Sequence, residues 1–367
     1  MTTLHAGIEN VRPQIKLGAI LLPRATSTYI GRSDQGLEIF SPARAALASM
    51  DGAHTCEELS GALGIPLSEI VALVSELDRA GLIDTQRSRI SVHTRFHSPN
   101  ANRVSHDSDD SNDGAVQQLQ AKLQPELSLS TWHANVRDGG VSMLSRRRNW
   151  RVGIYGDSRI ATLLYGILLS SGISQTFLQS SDEHKRICEE DLCAGFLHPS
   201  DIGLLYTHRT QELSRELSLF PISKGGDGEK YQEFMVAVGN APADQVQEWI
   251  SRGVPHLLVD SPDTASISIG PIVIPGQTPC ARCISMTMED QNPTWREISL
   301  QKQIQPAKEV PVAIAHHIAG LAALELLGFI DEGQSELIGR SARIDYHRPI
   351  ITVQQSFTRH PACGCNW

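Results

Sequence analysis

The chain has 367 residues, a formal net charge of −9 and a hydrophobic share of 40%. This length favours two domains, and the hydrophobic share is enough for ordinary globular cores. The negative charge argues against nucleic acid or an anionic membrane surface as a partner, because both attract basic surfaces.

The first forty residues predict a small antiparallel sheet. Three short apolar or alternating segments, Ile15–Leu22, Ser27–Arg32 and Leu37–Phe40, are separated by Pro23 and by Ser33–Gly36. Proline and a polar, glycine-containing stretch are typical of the turns between short strands.

Three helices and a short strand are predicted next. A helix opens at Ser41-Pro42 and ends before Asp51, and Thr55 with Glu58 forms a capping-box pattern for the second helix. The third helix, Leu67–Ala80, has apolar residues at helical spacing, and Leu82-Ile83 returns as a strand. Residues 1–85 are therefore expected to form a winged-helix-like α+β module.

This module is not expected to bind DNA. Its third helix carries Glu69, Glu76 and Asp78 against Arg79, so the helix would repel phosphates. Together with the segment Leu77–Asp84, the module resembles the PqqD-like peptide-recognition domain of enzymes that modify ribosomally made peptides.

The resemblance implies that a leader peptide adds a strand to the sheet edge, beside the third helix. The residues expected to bind this peptide are Leu37, Ile39, Phe40, Ala72, Leu73 and Glu76. The last three are expected to face away from the helix's core stripe. A packing domain with no ligand is the alternative.

Residues 86–130 differ in composition from the segments on either side. The stretch His106–Gly114 has no apolar residue, so it cannot bury enough surface to offset the entropy of ordering it. A largely disordered linker is predicted, with some helix at Ala115–Leu123.

Residues 131–367 are predicted to form a Rossmann-like doubly wound parallel sheet. Arg151–Gly156 indicates a strand and a tight turn, and Ile160–Leu169 the helix that follows. Helix-sized polar stretches separate the other predicted strands, Ile173–Leu178, Ile202–Tyr206, Phe234–Val238 and His256–Val259.

The turn at Gly153, Gly156 and Asp157 lies where a nucleotide-binding protein places its phosphate loop. It lacks the G-x-G-x-x-G spacing, and Asp157 would put a negative charge beside the phosphates. The turn is therefore interpreted as a degenerate nucleotide loop. The cluster Arg146–Arg148 before it is expected to be a solvated domain junction.

Residues Ala313–Ile330 form the longest apolar run. His316, His317 and Glu325 interrupt this run, which predicts a buried helix rather than a membrane span. The N-terminus shows no basic region followed by an apolar run, so a cytoplasmic location is expected.

Four of the seven cysteines form two close pairs, Cys280 with Cys283 and Cys363 with Cys365. Four thiolates suit a tetrahedral ion with no open position, which predicts a structural zinc site. Two disulfides or coincidental thiols are the alternatives. The odd number of cysteines suits a reducing compartment.

The Rossmann-like half, the segment Ile269–Cys283 and the tail His360–Cys365 resemble the ThiF/MoeB superfamily of ubiquitin-activating-enzyme-like proteins. The subgroup that this chain resembles most is the ThiF-like partner proteins of thiazole/oxazole-modified microcin pathways. In these proteins a peptide-recognition domain precedes a zinc-bearing ThiF-like domain, which is the order predicted here.

Active members of the wider family adenylate a peptide carboxyl group with ATP and magnesium. This chain lacks three features that the resemblance associates with that reaction: the phosphate loop, an acidic ribose ligand where Gln179 stands, and a metal-binding aspartate in Val238–Ala241. ATP binding and adenylation are therefore not expected.

The resemblance implies a non-catalytic scaffold that binds a precursor's leader peptide and recruits it to a YcaO-type cyclodehydratase, which forms azolines. Structural zinc is the expected cofactor, and a homodimer is compatible with this reading. Two alternatives stay open: an ATP-dependent adenylating enzyme of the ThiF/MoeB type, and a zinc-stabilised dimeric protein with another partner. Nucleotide binding distinguishes the scaffold from the adenylating enzyme.

Overall fold

The structure is a computed structural model, and the residues that it describes are 8–40, 42–86, 122–128, 130–133, 136–180, 182–219, 231–239, 241–262, 265–304, 309–347 and 353–365. The chain divides into two compact units, residues 1–145 (unit 1) and 146–367 (unit 2). We describe each unit by itself.

Unit 1 combines short strands with helices of four to thirteen residues. Its described strands are β1 (Gln14–Ile15), β2 (Ile20–Pro23), β3 (Ser27–Gly31), β4 (Gly36–Phe40) and β5 (Ile83–Asp84). Its described helices are α1 (Arg44–Leu47), α2 (Cys56–Leu63), α3 (Leu67–Arg79), α4 (residues 122–128) and α5 (Val141–Arg147), whose last two residues belong to unit 2.

The strands of unit 1 form an antiparallel sheet in the order β2-β3-β4 and a separate antiparallel pair of β1 and β5. Buried residues of α3 at helical spacing, among them Ile70, Val74 and Leu77, pack in one core with Ile30 of β3 and Ile83 of β5. The predicted antiparallel sheet is thus confirmed for β2, β3 and β4.

Local sequence signals explain where α2 begins and where α3 ends. The capping box before α2 is present, because Thr55 Oγ1 accepts from the Glu58 N–H at 3.1 Å and Glu58 accepts from the Thr55 N–H at 2.7 Å. Gly81 ends α3 in the left-handed region at φ +70°, and the Leu82 N–H reaches back to the Leu77 carbonyl at 2.9 Å.

Unit 1 extends beyond the predicted domain end at residue 85. The buried Lys16 amine donates to the carbonyl oxygens of Thr131 and, at 2.8 Å, of Val136, and Trp132 Nε1 donates to the Leu17 carbonyl at 3.0 Å. Residues from 131 to 145 therefore belong with unit 1, not with the second domain as predicted. Most of the predicted linker lies outside the described residues.

Unit 2 alternates strands and helices over its first half. Its described strands are β6 (Trp150–Tyr155), β7 (Gln175–Gln179), β8 (Gln232–Val238), β9 (His256–Val259), β10 (Ser266–Val273), β11 (Arg340–Asp345) and β12 (Val353–Ser356). Its described helices are α6 (Arg159–Ser170), α7 (Tyr206–Leu217), α8 (Ala243–Ser251), α9 (Ala281–Gln291), α10 (Trp295–Ile304) and α11 (Val312–Glu332).

These strands form a mixed sheet in the order β12-β11-β10-β9-β8-β6-β7. β7, β6, β8 and β9 run parallel, whereas β10, β11 and β12 pair antiparallel. On one face of the sheet, Ile154 of β6 and Val236 of β8 share a core with α6 and α11. On the other face, Tyr155 of β6 and Met235 of β8 pack with Trp249 of α8. Helices therefore cover both faces, as a Rossmann-like sheet requires.

The prediction of a strand at Ile202–Tyr206 was wrong. Ile202 follows a short 3-10 turn at Pro199–Asp201, and Ile202 and Leu204 are exposed instead of buried in a sheet. Tyr206 is the first residue of α7. A short apolar run does not distinguish a strand from a loop with a few exposed apolar residues.

α11 has the length and composition of a membrane span, and it is the one such helix among the described residues. Its buried face lies in the core of unit 2, in line with the predicted buried helix. Near its end, Asp331 accepts from the Arg147 guanidinium at 2.6 to 3.1 Å, and both side chains are buried. Arg147 is thus a core residue, and the prediction of a solvated junction was wrong for it.

Candidate functional site

The four clustered cysteines of unit 2 lie together in space. Cys280 precedes the first residue of α9, Cys283 lies in its first turn, and Cys363 and Cys365 come from the C-terminal segment. Their Sγ atoms all lie within 4.8 Å of one another, and three of the distances are 3.3, 3.6 and 3.7 Å. Thiolates bound tetrahedrally to zinc at about 2.3 Å would stand roughly 3.8 Å apart, so the cluster could bind such an ion.

The surroundings of the cluster favour a thiolate at one position. Burial alone would raise the pKa of Cys283, but the His360 backbone and the thiols of Cys365 and Cys363 lower it to about 7. Burial raises the pKa of Cys280. A metal ion needs deprotonated thiols, so binding would release protons from the cluster.

A histidine holds the C-terminal cysteine loop against α9. His360 Nε2 lies 2.9 Å from Asp290 Oδ2, and His360 Nδ1 accepts from the Ala362 N–H at 3.2 Å. The Cys363 N–H donates to the His360 carbonyl at 3.0 Å. The imidazole therefore donates from Nε2 to the carboxylate and fixes the turn that presents Cys363.

A second candidate site is the crevice at the carboxyl end of β6, where the strand order reverses between β7 and β8. Open α/β sheets bind ligands at such a point, with phosphates at the N-terminus of the following helix. Here the N–H group of Arg159, the first residue of α6, donates to the Glu309 carboxylate at 3.1 Å, and Ser158 Oγ accepts from the Ala161 N–H at 3.4 Å. Two of the N–H donors at this helix start are therefore taken by acceptors of the chain itself.

Further carboxylates surround this helix start. Ser180 Oγ donates to Asp157 at 2.7 Å, and the Lys185 amine lies 2.9 Å from Asp191 and 3.7 Å from Asp157. Burial raises the pKa of the Glu309 carboxyl, although the Arg159 N–H and the charge on Lys185 oppose the shift. The crevice is thus lined with acidic groups that already have cationic and hydroxyl partners.

Contacts within the sheet account for the two glycines of the predicted degenerate loop. Gly156 has φ +134°, and a Cβ there would lie 2.5 Å from the Val238 carbonyl oxygen. A Cβ on Gly153 would lie 2.5 Å from the side chains of Met235 and Phe177. Both positions need glycine for packing, whether or not a nucleotide binds.

The other two positions implied by the family resemblance lie at strand ends. Gln179 is the last residue of β7 and is exposed, and it carries no charge to hold a ribose. Within Val238–Ala241, Asn240 lies outside the described residues, and the strand ends at Val238.

In unit 1, β4 is an edge strand among the described elements, because it pairs with β3 alone. The Arg32 N–H donates to the Gln35 carbonyl at 2.7 Å across the β3–β4 turn. Along an antiparallel strand, the N–H and C=O groups of successive residues point alternately toward and away from the partner strand. Counting from Gln35, which bonds to Arg32, the backbone groups of Leu37 and Ile39 point toward β3. The residues whose N–H and C=O groups face the open edge are Gly36, Glu38 and Phe40.

The structure separates the six predicted peptide-binding residues into two groups. Phe40, Ala72 and Glu76 are exposed, and Leu37 is half-buried. Ile39 and Leu73 are each only 4% exposed and belong to the core of unit 1. The prediction that Leu73 faces away from the core was wrong, because a fourth buried position, beside Ile70, Val74 and Leu77, widens the apolar stripe of α3.

A cleft of about 390 Å³ lies between the start of β4 and the end of α3. Gly36, Leu37, Arg79, Trp132 and Arg137 are among the residues that line it. Sequence reasoning missed Trp132 and Arg137, because about fifty residues separate them from α3 and no local pattern marks them. It missed Glu309 for the same reason.

The sequence matches no protein-family model and no curated protein sequence. Solved structures share its fold. The microcin C7 biosynthetic enzyme MccB in complex with N-formylated MccA superimposes with a TM-score of 0.61 at 13% identity, over 96% of this chain and 99% of MccB. E. coli MccB with ATP gives a TM-score of 0.62 at 13% identity, over 96% of this chain and 98% of the other. PaaA gives 0.60 at 14% identity, over 93% and 99%. At these identities the likeness shows the fold alone.

Proposed function

We propose that this chain is a non-catalytic peptide-binding partner in the biosynthesis of a ribosomally made, modified peptide. Unit 1 captures the leader peptide as an added strand at the open edge of β4. Unit 2 is a ThiF-like platform whose four cysteines hold zinc. A separate YcaO-type cyclodehydratase acts on the presented peptide and forms the azolines.

The observation that carries the non-catalytic part is the start of α6. An adenylating enzyme must stabilise the phosphates of ATP with N–H donors and cations. In this chain a carboxylate, Glu309, accepts the Arg159 N–H, and Asp157 and Asp191 flank it. The Arg159 N–H and the Lys185 amine are thus already committed to carboxylates of the chain, so neither is available to a polyphosphate.

Two observations support the peptide-binding part. No strand of the described residues pairs with the outer side of β4, where Gly36, Glu38 and Phe40 present their backbone groups, and such an edge is a ready template for a further strand. The chain also shares the fold of MccB, which has been crystallised with MccA, over nearly its whole length.

An ATP-dependent adenylating enzyme is the second candidate. It is favoured by the shared fold with MccB, which has been crystallised with ATP, and by a cavity of about 560 Å³ at the carboxyl ends of β8 and β9. Gly239, Asp260 and Arg282 line that cavity. Asp260 pairs with Lys302 at 3.2 Å.

Reconstitution separates the two candidates. The chain is combined with a YcaO-type enzyme and a candidate precursor peptide with a core rich in Cys, Ser and Thr, and water loss from the precursor is followed by mass spectrometry. We expect water loss to require both proteins, and the chain alone to give no pyrophosphate exchange with ATP and precursor. Exchange by the chain alone would establish the adenylating enzyme, and ring formation without the chain would refute the partner role.

A further inference from the structure

The cleft beside the start of β4 is basic, although the chain as a whole is acidic. Of the residues that line it, five can carry positive charge and none is acidic; they are Lys16, Arg32, Arg79, His133 and Arg137. Gly36, whose backbone faces the open edge of β4, lies in the same wall. A peptide strand paired with β4 would therefore place a side chain at this cleft.

Three of these cations are already committed within unit 1. Arg32 pairs with Asp34 at 3.1 Å, and Arg137 donates to the Asp78 carboxylate and, at 2.8 Å, to its carbonyl. Lys16 is buried and is held by the carbonyl contacts described above. These groups shape the cleft and do not supply free charge.

Arg79 differs from them. Among the residues that the structure describes, it makes no ion pair, and its side chain is exposed at the last turn of α3. The carbonyl groups at this helix end are satisfied by the N–H groups of Gly81 at 3.0 Å and Leu82 at 2.9 Å. The guanidinium is therefore not needed to cap its own helix.

The aromatic ring of Trp132 lines the same cleft as Arg79. Trp132 is fixed by its hydrogen bond to Leu17, and the Arg32 guanidinium lies 5.5 Å from the centre of its ring. An indole wall excludes water and so strengthens a charge-assisted hydrogen bond formed next to it.

We propose that this cleft recognises an acidic side chain, Glu or Asp, of the peptide paired with β4, and that Arg79 is the cation that binds it. The inference rests on the proposed function and adds the chemical class of the peptide residue. A guanidinium offers two parallel donors to a carboxylate, which gives selectivity as well as affinity.

Random twelve-residue peptides displayed on phage and selected on the immobilised full chain test this inference. We expect the retained peptides to share an acidic residue at one position. The probe for affinity is a fluorescein-labelled selected peptide, together with its Glu-to-Gln version. Arg79→Gln should weaken binding of the acidic peptide roughly tenfold, because it removes a charge-assisted hydrogen bond. Lys122→Gln removes the same charge from α4, outside the cleft, and should leave the affinity unchanged.

A double-mutant cycle decides the pairing. If Arg79 binds the acidic side chain, the Arg79→Gln variant should bind the Gln peptide about as tightly as it binds the Glu peptide, and about as tightly as the wild-type chain binds the Gln peptide. Either change alone already removes the single interaction between the two side chains. Multiplying losses would overturn the assignment to Arg79. Selected peptides without an acidic position would overturn the inference and leave the proposed function standing, whereas a failure to retain any peptide would contradict both.

Discussion

At the scale of single residues, the buried ion pair Arg147–Asp331 predicts a large effect of mutation on the stability of unit 2. The Arg147 guanidinium donates to Asp331 and, at 2.8 Å, to the Ser171 carbonyl, and both charged side chains are at most 4% exposed. Arg147→Ala leaves a buried carboxylate without its partner, so we expect a loss of about 3–5 kcal/mol in the free energy of unfolding.

The neighbouring Arg146 is exposed and provides the matched control. Arg146→Ala should change the free energy of unfolding by less than about 0.5 kcal/mol. Urea denaturation followed by circular dichroism measures both variants. Equal effects of the two substitutions would show that the buried pair does not stabilise unit 2.

The cysteine cluster gives a second prediction at this scale. Cys283→Ser removes the thiol with the lowered pKa, so we expect loss of bound zinc and a lower melting temperature. Cys188→Ser changes an exposed free thiol outside the cluster and should keep the metal. Elemental analysis of the purified proteins tests this, and full zinc content with unchanged melting in Cys283→Ser would refute the site.

The sequence could predict that the four cysteines lie together, but it could not predict the carboxylates around the start of α6, for a physical reason. The C-x-x-C spacing of Cys280 and Cys283 is local and typical of metal ligands, and Cys363 and Cys365 form a second close pair with a less usual spacing. Glu309 reaches Arg159 from 150 residues further along the chain, so nothing near either residue marks the contact. Leu73 was misplaced because the helix buries a wider face than the narrowest apolar stripe indicates.

At the scale of elements, the open edge of β4 can be tested through one backbone group. The Glu38 N–H faces away from β3, so Glu38→Pro removes a donor that only an added strand would use. Glu38→Val removes the same carboxylate, with its contacts to Arg24 and Ser27, but keeps the N–H. We expect Glu38→Pro to weaken peptide binding at least about tenfold relative to Glu38→Val.

Fluorescence anisotropy with a peptide selected on the full chain measures this difference. Circular dichroism and melting must first show that both variants keep the wild-type fold, which is expected because no bond of the β3–β4 ladder is lost. Equal affinities of the two folded variants would place the peptide away from the β4 edge.

Elements with strong local signals were predicted, and those without were not. The capping box before α2 and the strand–turn–helix of β6 and α6 are each marked by residues close together in sequence. The segment Ile202–Tyr206 is apolar, but it is a loop that leads from a short 3-10 turn into α7. Its composition alone therefore did not indicate its structure. The antiparallel strands β11 and β12 had no clear pattern.

At the scale of the molecule, unit 1 needs the segment that follows the predicted linker. A fragment of residues 1–85 would leave the Lys16 amine without the carbonyl oxygens of Thr131 and Val136, and Arg137 could no longer pair with Asp78. A hydrogen bond of a charged group contributes about 1.5–3 kcal/mol, and the fragment loses several of them. We therefore expect residues 1–145 to melt at a higher temperature than residues 1–85, as followed by circular dichroism, and equal melting would contradict the assigned boundary.

Calorimetric titration of the full chain with ATP and magnesium tests the central claim that this chain binds a peptide and does not adenylate it. E. coli MccB, which has been crystallised with ATP, is the positive control. Because Glu309 accepts from the first N–H group of α6 and the Asp157 carboxylate directly precedes that helix, we expect no saturable heat from this chain at ATP concentrations that saturate MccB. Micromolar affinity for ATP, with peptide-dependent pyrophosphate exchange, would contradict the account.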